Sequence, residues 1–405
     1  DLIKSLSRAK SRDQKSFDEI VKASLREQIE FLGRCYAAGA QAYEADEQAK
    51  KEILEINKKV YAKDESILEM YEIGRAWSLE YFDTIYARLG AHFDELYFES
   101  EVWERGLKIV RAGLEEGIFK ESNGAIIFSG SEHGLHDRVF ITSEGNPTYE
   151  AKDLALSERR FKKHKPEKII HVVGKEQSEY FKVVFKALEQ TLPVSTGKEY
   201  HLPGGFLQLK EGKMSSRTGN VITGDALLEQ AVAAVAEIMK DRELPDKDEV
   251  IEKVALAAVK YSILKVGVSD DVAFDMKTSV SLEGDSGPYL LYIVARIRSI
   301  LKKSKVKSQK SKVTISKIEP VEKQLLLKLA VFPEVTRQAA EDLNPSHIAH
   351  YLFDLAQAFN TFYHACPVLD AKEPQRAFRL LLIQCVGTVM ISGLGLLSIE
   401  AVEKM

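Results

Sequence analysis

Residues 211–221 read Glu-Gly-Lys-Met-Ser-Ser-Arg-Thr-Gly-Asn-Val, a stretch too polar and too glycine-rich for a core. Lys213 and Arg217 supply positive charge, Ser215 and Ser216 supply hydroxyls, and the glycines let backbone N–H groups approach a ligand. That combination suits a polyphosphate, although a solvated basic surface loop has the same composition. A second set lies earlier in the chain. Tyr149 and Asp153 are four residues apart, and Gln177 follows the apolar run Ile169–Gly174. A carboxylate, a phenol and an amide would hold a cationic, hydrogen-bond-donating amino acid, because a guanidinium matches a planar carboxylate. Asp153 can equally cap a helix, and the two roles can coexist. In a third set, Tyr289, Tyr292 and Arg296 gather on one stripe of the helix that starts at Pro288. Leu290, Val294, Ile297 and Leu301 gather on another. Two aromatics and a guanidinium suit unpaired bases and phosphate, while two half-buried tyrosines at a second packing interface would share that spacing.

The elements that must position these residues follow from periodicity. Residues 1–80 contain no proline and only Gly33, Gly39 and Gly74, so they read as a helical connector. Short β-prone runs lie at 124–129 and 138–142, with His133 and His136 in a hairpin turn between them rather than as a metal pair. An extended segment from Pro147 ends at Tyr149, and Asp153 is expected to open a helix through about Lys163. Ile169–Gly174 is a continuous apolar run of the buried parallel-strand type, followed by a helix over Ser178–Thr191 that Pro193 stops. This βαβ rhythm implies a doubly wound sheet, whose ligands bind at the carboxyl ends of the strands. Asp153 and Gln177 should therefore face one pocket, with Tyr149 at its rim. Two more helices are expected near 226–240 and 248–266, and from 267 the chain reads as all-α. Helices should start at Pro288 and Asn344-Pro345, the latter with Ile348, Leu352, Leu355, Phe359 and Phe362 on one side, and a third apolar helix spans 375–391. The six lysines between 302 and 312 read as a solvated loop, with a phosphate-binding patch as the alternative. The expected fold is α/β plus all-α, a partial Rossmann-type sheet followed by a helical bundle.

A chain of 405 residues has room for two or three domains, and its net charge of −4 means that nucleic acid must be met by local basic patches. Cys35, Cys366 and Cys385 are far apart and odd in number, which suits a reducing, cytoplasmic setting and excludes a cysteine zinc site. No apolar run was expected to reach membrane-spanning length, and no membrane partner is expected.

The basic loop resembles the KMSKS signature of class I aminoacyl-tRNA synthetases, which closes over ATP. Pro147-Thr-Tyr-Glu-Ala-Lys-Asp-Leu-Ala155 resembles the arginyl-tRNA synthetase segment whose tyrosine and aspartate bind arginine, and Gln177 falls at that family's glutamine position. Phe274-Asp275 with Glu283-Gly-Asp-Ser-Gly-Pro-Tyr is similar to the opening of its anticodon-binding domain, and Ile399–Met405 is similar to its usual ending. The resemblance covers roughly residues 84–405. It implies a helical connecting segment at 1–83, a catalytic domain at 84–266 and an anticodon-binding domain at 267–405. It further implies that Tyr149, Asp153 and Gln177 bind L-arginine, and that Lys213, Met214, Ser215 and Ser216 bind ATP with its Mg²⁺. Lys213, Ser215 and Arg217 would act in catalysis, and Tyr289, Tyr292, Arg296, Tyr363 and Met405 would contact tRNA(Arg). The implied enzyme is a monomeric arginine–tRNA ligase. Two departures stand out. The family's His-x-Gly-His loop is not among the nine histidines, so the chain resembles a synthetase without its first half-Rossmann unit, expected to be inactive alone. Ser216 also replaces the second signature lysine. The missing loop leaves a second reading open, a non-catalytic tRNA-binding paralogue.

Overall fold

The computed structural model describes residues 17–209, 223–304, 315 and 317–405. The chain divides into two compact units, Asp1–Asp94 and Glu95–Met405. Within the described residues the first unit is helical: α1 (Phe17–Val21), α2 (Leu25–Ala45), α3 (Glu47–Ala62) and α4 (Glu65–Leu89). The starts of the last three have a local cause. Ser24 and Glu27 form a reciprocal capping box at α2, and Asp46 and Asp64 accept backbone N–H groups at the starts of α3 and α4. Ile20, Phe31, Leu32, Cys35 and Trp77 form its core, with Phe17 tilted against Trp77 at 5.9 Å.

The second unit opens with α5 (Glu99–Glu115) and a three-stranded antiparallel sheet, β1 (Lys120–Ser122), β2 (Ala125–Phe128) and β3 (Arg138–Ile141). A 3₁₀ turn, Gly130–His133, joins β2 to β3, and His133 stacks on Phe128 at 5.5 Å. Helix α6 (Tyr149–His164) packs against α5, and four ion pairs lie between 95–105 and α6: Arg105–Glu158, Arg159–Glu101, Lys152–Glu99 and Lys163–Glu95. β4 (Ile169–Gly174), α7 (Ser178–Thr191) and β5 (Glu199–Gly204) form the expected βαβ unit, with β4 and β5 parallel and in register from Ile169↔Glu199 to Gly174↔Gly204. Phe119, Phe128, Phe140, Leu154, Val183 and Leu188 fill the core shared by the small sheet, α6 and α7.

Three sequence expectations change here. β4 is not buried on both faces: its burial alternates, and Val172 is 71% exposed, because α7 covers only the face carrying His171. The chain is not all-α from 267, since β7 (Val272–Phe274) pairs in parallel with β6 (Leu207–Leu209). Membrane-spanning length is reached by one helix on length and composition alone, α15 (Gln375–Leu396). Half of its apolar window is buried, and it packs against the bundle helices Gly287–Ser304 and Ser346–Ala365, so we assign it to the bundle core.

The remaining elements are α8 (Gly224–Ile238), α9 (Lys247–Leu264), α10 (Met276–Ser279), α11 (Gly287–Ser304), α12 (Pro320–Ala330), α13 (Phe332–Glu341), α14 (Ser346–Ala365) and α15. Helix α11 is the axis of this region. Leu290, Leu291, Ile293, Val294, Ile297 and Ile300 are all buried, a wider face than one stripe, because α9, α14 and α15 pack around it. Its start is pinned. A Cβ on Gly287 would lie 2.1 Å from the Ala257 carbonyl oxygen, so only glycine allows α11 to approach α9 there. Tyr261 of α9 donates to Asp285 at 2.5 Å and to the Ala349 carbonyl at 3.1 Å, tying α9 to the starts of α11 and α14. The five apolar positions expected on one side of α14 are all buried. Between α12 and α15, the buried Glu322 accepts from Arg379 at 2.7 Å, from Gln375, and from the Glu319 N–H at 2.8 Å. That ion pair is fully satisfied, the condition under which a buried pair is tolerated.

Candidate active site and nucleic-acid interface

Helix α6 begins one turn earlier than the sequence suggests. A short turn brings Asn146 back to Thr142, and the Thr148 N–H and hydroxyl bond to the carbonyls of Phe140 and Val139. The helix then starts at Tyr149, with Thr148 as its N-cap. Asp153 therefore sits in the second turn, which removes the capping alternative. Tyr149 and Asp153 are at i and i+4 on one helix face.

Asp153 is partly buried, and its Oδ2 accepts the Tyr180 hydroxyl at 2.6 Å. Burial raises its carboxyl above the usual 3.8, opposed by the Tyr180 hydrogen bond and by the charges of His171 and Arg160. No ion pair holds Asp153 among the described residues. Tyr180 is itself held. Arg138 lies 4.9 Å from its ring centroid and donates through Nε to Glu150 at 2.6 Å. Burial, with the Asp153 charge next, pushes the Tyr180 phenol well above its ordinary range, so it stays a donor. Behind this group, His171 is bonded to Glu199 at 2.6 Å between Phe181 and Phe185, and the other Glu199 oxygen is buried without a partner.

Gln177 occupies the N-cap position of α7, exposed, one helical turn before Tyr180. Helices α6 and α7 pack together, so Tyr180 links Asp153 to the end of α7 that carries Gln177. Tyr149 is 65% exposed, with the Lys152 ammonium 5.2 Å from its ring. Tyr180 and the Arg138–Glu150 pair were missed in the sequence. Tyr180 was findable: it lies three residues after Gln177, on the same face of the same helix start.

Beside these groups the strand ends form a second polar cluster. Lys175, just after β4, pairs with Asp271 at 2.7 Å, and Asp271 also accepts the Phe206 N–H at 2.8 Å. A Cβ on Gly205 would lie 1.9 Å from the Asp270 carbonyl oxygen, so glycine is required where the two segments meet. The chain leaves β6 at Leu209 and returns at Thr223, the N-cap of α8. Lys213, Met214, Ser215, Ser216 and Arg217 lie between these points, outside the described residues.

On the bundle, one face of α11 meets α14. Asn360 donates to the Tyr289 hydroxyl at 2.8 Å and accepts from Arg296 at 3.2 Å. The Arg296 guanidinium lies 5.4 Å from the Tyr292 ring and 5.0 Å from the Tyr363 ring. Four of the residues singled out in the sequence thus form one half-buried cluster, and Asn360, which the sequence did not flag, joins them. Met405 is held elsewhere. Its carbonyl accepts from Arg242 at 3.0 Å. The preceding Val402 carbonyl accepts from Arg298 at 2.7 Å, about 200° around α11 from Arg296.

The family model for the catalytic domain of class I tRNA synthetases (R) matches residues 13–276, and the model for the DALR anticodon binding domain matches residues 290–405. The arginine–tRNA ligase of Bacteroides fragilis is 32% identical over 406 aligned residues, covering 96% of this chain and 66% of that protein. That of Porphyromonas gingivalis is 33% identical, covering 85% of this chain and 60% of that protein. The chain thus spans somewhat under two thirds of these relatives. The arginyl-tRNA synthetase structure of Thermus thermophilus covers all of this chain with 74% of its own length, at a TM-score of 0.82 and 27% identity. The first family model spans more than half of the chain, and so this chain belongs to the arginyl-tRNA synthetase family, with a class I catalytic part and a helical anticodon-binding part.

Proposed function

We propose that this chain carries the arginine-binding, KMSKS-loop and anticodon-binding parts of an arginine–tRNA ligase. The observation that supports this most strongly is Asp153, a partly buried carboxylate with a phenol donor and no ion pair among the described residues. Burying such a group is unfavourable until a positive ligand arrives, which is how a cation-selective site is made. The arginine guanidinium supplies that partner, with Tyr149 and Gln177 as further polar contacts from the two helix ends.

In the proposed reaction, an oxygen of the arginine carboxylate attacks the α-phosphorus of ATP and pyrophosphate leaves. A hydroxyl of the terminal tRNA ribose then attacks the carbonyl of the arginyl-adenylate, and AMP leaves. No side-chain nucleophile is needed. Lys213, Ser215 and Arg217 act by charge and hydrogen bonding on the phosphates, with Met214 and Ser216 as ATP neighbours. Mg²⁺ would accompany ATP and offset the charge of its phosphates. Tyr289, Tyr292, Arg296 and Tyr363 receive the anticodon loop of tRNA(Arg). Met405 contacts tRNA on a separate face, and the protein works as a cytoplasmic monomer.

The test is arginine-dependent pyrophosphate exchange and tRNA charging by the gene product that carries this chain. Arginine should be charged, and Asp153→Asn should raise the arginine KM. Charging of a neutral amino acid in preference to arginine, or no charging at all, would contradict the proposal, and the latter would favour the tRNA-binding paralogue.

A further inference from the structure

The face of α11 was expected to present Arg296 to a phosphate. The structure uses that guanidinium differently. It is flanked by two rings at 5.4 and 5.0 Å, and one of its N–H groups is committed to Asn360 at 3.2 Å. Four residues separate Tyr292 from Arg296, so their contact arises within one helix. Tyr363 comes from α14, and nothing in α11 itself fixes the guanidinium between the two rings. Asn360 does. It sits on α14 one turn before Tyr363, and its amide uses both ends: the NH₂ donates to Tyr289 and the carbonyl accepts from Arg296. Tyr289 is anchored in turn by its edge contact with Phe353 at 6.0 Å.

We infer that Asn360 is the positioning residue of this interface: by bridging Tyr289 and Arg296 it holds the guanidinium between Tyr292 and Tyr363, so that the three form one ordered platform for unpaired bases. The inference rests on the reading of this face as an RNA interface. Asn360 needs no contact with RNA. Its contribution is preorganisation, since three large side chains would otherwise lose rotamer freedom when RNA binds. Tyr363 is also stacked on Phe359 at 6.0 Å, so the ordered platform offers chiefly the π face of Tyr292 to unpaired bases, which a duplex does not display.

The experiment uses the whole chain and two RNAs: a hairpin with an unpaired loop and a blunt duplex of the same length. Asn360→Leu keeps the side chain's volume and removes both hydrogen bonds. It should bind the hairpin about tenfold more weakly, a loss at the lower end of one base-stacking contact, and bind the duplex unchanged. The Nε–H resonance of Arg296, shifted by the two rings in the parent, should move toward that of a free arginine. If the variant melts far below the parent, Asn360→Ser is measured in the same way. Tyr292→Ala is the control for the interface itself. Hairpin binding unchanged in the Asn360 variant but weakened in Tyr292→Ala would overturn the role of Asn360 and leave the interface standing. Equal losses on hairpin and duplex would make Asn360 merely structural. Hairpin binding unchanged in both variants would overturn the interface reading along with it.

Discussion

Asp153 and Arg296 are both charged, both tied to a tyrosine and both partly withdrawn from water, yet the protein treats them in opposite ways. Asp153 forms no ion pair among the described residues, although the charges of His171 and Arg160 reach it. Its one recorded hydrogen bond comes from Tyr180, and burial raises its carboxyl above 3.8. Arg296 is a cation whose neighbours are rings and an amide, with Tyr292, Tyr363 and Asn360 around it. On the proposed reading, the first arrangement suits a small positive ligand. The second is stable while empty and suits a large, flat ligand.

Substitutions can break this contrast, and the largest effect belongs to Asp153. Asp153→Asn removes a charge-assisted pair with the guanidinium, about 2–4 kcal/mol, so the arginine KM should rise roughly 30-fold to 1000-fold. Stability should respond in the other direction. Because the native carboxyl holds its proton more tightly than the unfolded one, the stability it contributes falls as pH rises from about 4 through its raised value. Asn is neutral throughout, so the variant should lose that fall and melt no lower than the parent near neutral pH. Thermal melts at acid and neutral pH check the sign. A large drop in melting temperature would make Asp153 structural.

Lys213→Ala comes next. Loss of one donor to the phosphates should slow adenylate formation by about 100-fold and leave arginine binding unchanged, read by pyrophosphate exchange and calorimetry. At the other region, Tyr292→Ala should weaken hairpin RNA by roughly 1–3 kcal/mol per stacked base, with only a modest change in melting, because the buried apolar face of α11 is untouched. Arg296→Ala should have the smallest electrostatic signature. A guanidinium held between rings contributes less than one phosphate contact, so the slope of log affinity against log salt should flatten by less than the roughly 0.7 expected per phosphate of an unpaired strand. Flattening by about 0.7 or more would place Arg296 on a phosphate.

Much of this was legible in the sequence where one element decides the outcome. The bounds of α7 followed from its apolar face and from Pro193, and the parallel pairing of β4 with β5 from the strand–helix–strand rhythm. What escaped depended on distant partners. The strand Val272–Phe274 is only three residues long and exists because β6 pairs with it. α12 carries a weak apolar pattern of its own, with the buried Leu325 and the Glu322–Arg379 pair fixing it only once α14 and α15 are in place. The site divides in the same way. Asp153, Gln177, Tyr292 and Arg296 were visible as residue types at helical or strand-end spacings. Tyr180 and Asn360 act through contacts 27 and 64 residues away along the chain, which no local pattern records.

The central claim is that Asp153 selects a cation, and it is tested most directly by comparing L-arginine with L-citrulline, its neutral near-isostere. Calorimetric titration of both into the gene product carrying this chain, and into its Asp153→Asn variant, gives four affinities. The account predicts clear preference for arginine in the parent, weakening as the pH falls through the raised carboxyl pKa, and collapse of that preference in Asp153→Asn. Equal binding of citrulline and arginine by the parent, or an unchanged preference in the variant, would contradict it.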